Sequence, residues 1–159
     1  MANSAGLCTS FKTELMLGGH QFGAITLISR TSLTAPTTDT FKMALYQTSA
    51  TISPATAVYT TSGEVATAGG YSAGGATVTN ATAPTSSGTT AYWTPSASVS
   101  WTGVSFTTDC ALLYNSTQTV ASFGRAVGSY TFSSQTVSGG NFTLTMPTNA
   151  AGTALIQIA

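Results

Sequence analysis

Charge is what this sequence has least of. Of its 159 residues only 5% are charged: Lys12, Glu14, Arg30, Asp39, Lys42, Glu64, Asp109 and Arg125, four of each sign. Globular chains usually carry about 25%. Nucleic-acid binding needs a surface dense in Lys and Arg to neutralise phosphates, and four scattered basic residues do not supply one. An anionic membrane is excluded as a partner on the same ground. No apolar run approaches the roughly 20 residues of a membrane-crossing helix. The opening MANSAGLCTSFK has no basic segment leading into an apolar one, so the expectation is a protein made in, and released from, a cytoplasm.

Catalytic parts are scarce too. His20 is the single histidine. A zinc site would need Cys8, Cys110 and a carboxylate to converge on it, and metal sites rarely form without clustered ligands. A Ser-His-Asp arrangement would have to recruit His20 with Asp39 or Asp109, and no G-x-S-x-G elbow is present. Glu14, Asp39, Glu64 and Asp109 are isolated from one another, whereas a glycosidase needs two carboxylates across a cleft. GGYSAGG at 69–75 lacks the Lys-Ser/Thr of a phosphate loop; its glycines suit a tight bend around Tyr71. The expectation is a non-enzymatic chain with no catalytic, cofactor-binding or metal-binding residues and no cofactor. Cys8 and Cys110 are expected to be free buried thiols in a reducing compartment, with their pairing left open.

What the sequence does have is hydroxyl. Ser and Thr make up about a third of it and 42% is hydrophobic, enough for one domain with a packed interior. Thr is β-branched and favours strands. Residues 1–10 are small and polar and read as a flexible arm; 11–159 read as a single β domain. Within it FKTELMLGGHQF, 11–22, is the one helix candidate, capped by Ser10 and stopped by Gly18 and Gly19. AITLISR at 24–30 is an apolar run, strand or helix end. FKMALYQT at 41–48 alternates like a half-buried strand. Further strands are expected at 76–82, 91–95, 98–106, 110–115, 119–127, 130–133, 141–147 and 154–159. In 98–106 the apolar phase shifts at Gly103, which predicts a β-bulge. NSTQ, 115–118, reads as a hairpin turn, residues 83–90 as a loop and Ser138–Asn141 as another turn. Strands every 8–15 residues with such turns predict an all-β fold, an antiparallel β-sandwich or small barrel with one short N-terminal helix.

A solvated monomer normally keeps its net charge away from zero; this one is formally neutral, which points to a chain held in a larger assembly. Tyr92, Trp93 and Trp101 could form a sugar-stacking platform, although packing is the commoner use of such residues.

Residues 41–79, with F-K-x-A-L-Y at 41–46, Y-T-T-x-x-E-V at 59–65 and G-Y-x-A-G-G at 70–75, resemble a family of small virion proteins of podovirus-like and marine phages. The segment F-K-x-E-L-x-x-G-x-H-x-F at 11–22 is similar to that family's opening helix, and F-G-R at 123–125 fits more loosely. The resemblance implies a particle component assembled in a bacterial cytoplasm. The role expected first is a capsid decoration, or cement, protein. Its partners would be the major capsid protein or neighbouring virion proteins, and it would form a homo-oligomer, a trimer before a dimer. The alternative is a neck, tail or fibre component, conceivably a receptor-binding module. Protein contacts are expected at Phe11, Leu15, Tyr71 and Trp93.

Overall fold

The computed structural model describes residues 3–16, 20, 22 and 38–159. The apolar run at 24–30 and the glycines expected to stop the helix lie outside them. One helix, α1 (Thr9–Met16), follows a two-residue strand, β1 (Gly6–Leu7). Seven strands follow: β2 (Phe41–Tyr46), β3 (Ala76–Thr77), β4 (Thr85–Ser87), β5 (Thr90–Trp93), β6 (Val99–Val120), β7 (Phe123–Leu144) and β8 (Ile156–Ile158). They form a five-stranded sheet, order β1-β7-β6-β2-β3, and a three-stranded sheet, order β4-β5-β8, with every pairing antiparallel. The all-β expectation is the fold observed. The barrel option is excluded, because the sheets do not close.

β6 and β7 dominate the molecule as one hairpin of two 22-residue arms. In the first part of β6, Val99 and Trp101 turn inward and Ser100 and Thr102 outward. Gly103, at φ +64°, then resets the phase. The pairing shifts between Trp101 and Val104, so that Val104 returns to the interior. This is the bulge the apolar phase predicts. From Cys110 to Asn115 every residue is buried, because β2 and β7 flank this stretch. β2 is likewise buried along nearly its whole length, not half-buried as its alternation suggests.

The hairpin turn is not NSTQ. Asn115 accepts the backbone N–H groups of Thr117 and Gln118 on its side-chain oxygen, both at 3.0 Å. That local bond makes 115–118 an irregularity inside β6, where the register slips between Asn115 and Thr119. The chain reverses at Ala121 and Ser122, with φ of 49° and 71°. A two-residue hairpin turn with both residues at positive φ favours Asn-Gly, and L-residues other than Gly, Asn or Asp are strained there. Grafting Ala121→Asn with Ser122→Gly should therefore raise the unfolding free energy by about 1 kcal/mol; a urea titration showing no gain would place the reversal elsewhere. Ser138–Asn141 is also a bulge within β7 and not a turn, with Ser105 Oγ accepting the Gly139 N–H at 2.8 Å. Residues 83–90, expected as a loop, hold β4 and its tight link to β5.

The amino-terminal residues lie against the body. β1 pairs with Gly128 and Ser129 of β7. Ser4 N–H donates to Ile52 O and Cys8 N–H to Val127 O. Asn3 bridges Gln47, Ile52 and Asp109. Composition suggested a flexible arm; anchoring at Asn3, Ser4, Gly6–Leu7 and Cys8 replaces it in residues 3–8. The helix begins at Thr9, one residue before its expected cap, and Ser10 Oγ is buried with no hydrogen-bond partner among the described residues.

One core joins the two sheets. Phe22 stacks on Phe41 at 4.5 Å between ring centroids and meets Trp93 of β5 at 4.8 Å. Trp93 Nε1–H donates to Thr82 O at 2.7 Å, so its one polar atom is satisfied on burial. Cys8 and Cys110 are buried and form no disulfide with each other. Burial, with Asp109 beside it, pushes the Cys110 thiol up to about 12, which keeps it protonated and unreactive.

Candidate functional site

Glu64 is a buried carboxylate with three donors. It is 8% exposed. Tyr59 OH donates to its Oε2 at 2.6 Å, while Tyr71 OH and the Gly74 N–H both donate to Oε1 at 2.7 Å. Tyr71 OH in turn accepts the Leu45 N–H of β2 at 2.9 Å, and Tyr114 OH of β6 donates to Gly74 O at 2.8 Å. Tyr59 stacks on Tyr114 at 4.7 Å. The two short motifs at 59–65 and 70–75 are thus one object. A buried carboxylate gathers the ends of a long irregular segment and fastens it over β2 and β6. All three donors come from the chain itself, so the arrangement is a clasp.

Its phenols carry a pH signature. Burial, reinforced by the Glu64 charge, pushes Tyr114 up to about 12. Burial first, and Glu64 after it, also raises Tyr46, Tyr59 and Tyr71 above the usual tyrosine value. The folded state holds these protons more tightly than the unfolded one, whose phenols titrate near 10. Their contribution to stability is complete below about pH 10 and is lost as pH rises through the folded values. Stability should be flat with respect to these groups up to that point and fall above it. In a Tyr92→Phe background, which removes the half-buried tyrosine outside the clasp, phenolate absorbance at 295 nm should then grow in step with loss of the folded circular dichroism signal; phenolate formation in a still-folded chain at pH 10 would contradict it.

Asp39, 5% exposed, accepts Asn115 Nδ2–H at 2.6 Å and Gln118 Nε2–H at 3.3 Å. Asn115 Nδ2 also lies 3.1 Å from His20 Nδ1, and the His20 ring sits among Phe11, Phe22 and Phe41. The histidine and this aspartate thus brace the β6 irregularity together. Asp109 accepts Asn3 Nδ2–H at 2.7 Å. Among the described residues no three His, Cys, Asp or Glu side chains gather into a metal-holding set.

The residues expected to make contacts go inward. Phe11 and Tyr71 are completely buried, Trp93 nearly so, and Leu15 packs partly buried against the core. Trp101 is buried beside Tyr71, and Tyr92 is only half-buried, so Tyr92, Trp93 and Trp101 present no common stacking face. Aromatic residues in a chain with few charges were needed for the interior.

Two surface features were missed. The first is the hairpin tip, residues 117–123, where Val120 is 43% and Phe123 45% exposed. The second is a groove of about 540 Å³ on the other half of β7. Met43, Phe132, Val137, Phe142, Leu144 and Met146 contribute its apolar lining, and no charged residue borders it. Phe142 forms its floor, in ring contact with Trp101, Phe106 and Phe132. The alternation of Phe142, Leu144 and Met146 signalled an apolar face in the sequence; nothing signalled the tip, because the reversal at Ala121–Ser122 lacks turn residues.

Comparison with protein-family models, with curated proteins and with solved structures returns no match.

Proposed function

We propose that this chain is a structural component of a bacteriophage particle, a capsid decoration protein that stabilises the head shell through contacts with the major capsid protein and with its own copies. The observation that carries this is an uncharged apolar groove together with an uncharged hairpin tip that exposes Val120 and Phe123. Apolar area left outside on a near-neutral chain marks a contact surface. The resemblance of residues 41–79 to small virion proteins supplies the setting. Glu64, Asp39 and Asp109 are engaged by the chain's own donors, and in this reading it catalyses nothing.

Imaging of the particle by cryo-electron microscopy tests it. Hundreds of copies on the shell are expected, and particles lacking the protein should lose heat or osmotic resistance while adsorbing normally. Six to eighteen copies at the neck or tail, or lost adsorption with an intact shell, would replace decoration by the neck, tail or fibre role.

A further inference from the structure

We propose that copies of this chain associate head to tail, with the β6–β7 tip of one copy seating Val120 and Phe123 in the β7 groove of the next. Tip and groove match in chemistry. Residues 117–123 contain no charge, and neither does the lining of the groove. Two of the three large hydrophobic side chains most exposed among the described residues stand at that tip. The groove, about 540 Å³, lies within the range of about 300–1,000 Å³ typical of pockets that enclose a ligand. That is ample for a phenylalanine and a valine carried on a narrow two-residue turn.

The tip does not reach the groove of its own chain. Phe123 and Phe142 are on the same strand, about 60 Å apart along it at roughly 3.3 Å per residue before twist and bulges shorten the path. The β6–β7 ladder joins them through five register shifts. Donor and acceptor surfaces are therefore different patches of one hairpin, the groove beginning at Tyr130, seven residues or roughly 23 Å along β7 from Phe123. Such a contact is heterologous: it closes into a ring when the rotation between copies allows, and otherwise extends. A closed three-membered ring would give the trimer expected of a decoration protein.

This deepens the assembly reading, but it is measured on the purified full chain, so its failure leaves the location on the particle to imaging. Two variants separate the surfaces. The tip variant is Val120→Asp with Phe123→Asp. The groove variant is Gln135→Arg with Thr145→Arg, both exposed residues on the groove wall; Asn141→Arg, also exposed there, replaces it if thermal melting shows a misfolded product. By sedimentation velocity the wild type should exceed monomer mass at about 100 μM, and each variant alone should associate roughly tenfold or more weakly. Mixed one to one, the variants should form dimers and stop, since only one intact tip meets one intact groove. A monomeric wild type overturns the proposal. So does a tip variant that assembles like the wild type, which would mean groove-to-groove pairing, or a mixture that stays monomeric.

Discussion

Glu64→Ala is expected to lower the unfolding free energy by about 3–5 kcal/mol, most of what a domain of this size can spare. The substitution removes one acceptor and strands three donors: Tyr59 OH, Tyr71 OH and the Gly74 N–H. Tyr71 is completely buried, so its hydroxyl has no access to replacement water unless the segment lifts. The conservative series separates the parts. Glu64→Gln retains the shape and one acceptor oxygen and should cost about 1–2 kcal/mol. Tyr59→Phe removes a single donor from the more exposed side and should cost about 1 kcal/mol. Urea titration at neutral pH reads all three. A Glu64→Ala variant within about 1 kcal/mol of the wild type would mean that the carboxylate holds nothing.

Gly75→Ala should be nearly as damaging, for a different reason. A Cβ there would sit 1.9 Å from Met43 O and 2.6 Å from the Ala44 Cα, both backbone atoms of β2 in the middle of the large sheet. The residue also has φ +68°. Overlap and left-handed strain together should cost about 3 kcal/mol or more. Gly88→Ala is the control: φ is +58°, but nothing lies within 4 Å of the added carbon. It should show the backbone penalty alone, about 1–2 kcal/mol. Equal losses at the two positions would show that the close approach to β2 contributes nothing.

The sequence revealed strands where alternation was strict and misjudged them where side chains bonded their own backbone. Phe41 to Tyr46 was legible as a strand by its alternation, although both its faces are covered, and the Gly103 bulge was legible because the apolar phase resets there. The joins were not. Asn115 and Ser138–Asn141 carry the composition of turns, yet each sits inside a strand, since a long ladder absorbs an extra residue as a bulge at small cost. The true reversal uses Ala and Ser in a conformation that neither favours, so tertiary pairing sets it and no local preference announces it. The clasp was half legible. Its glycines and Tyr71 stood out, but Glu64 read as one isolated carboxylate. Sequence spacing carries no sign that Tyr59, Tyr71 and Gly74 converge on it within the irregular chain from Tyr59 to Gly74. The contact residues were misplaced because exposure of an aromatic cannot be inferred from a chain whose core must draw on the same residues.

The pairing of β1 with Gly128 and Ser129 orders events in time. β1 has no partner in the large sheet until β7, more than a hundred residues later, has been made. Until then its edge and that of β7 both stay open. Non-local pairing of this kind slows folding and prolongs the life of unpaired edges. The seam between β1 and β7 therefore closes only once the whole stretch from Gly6 to Ser129 has been made.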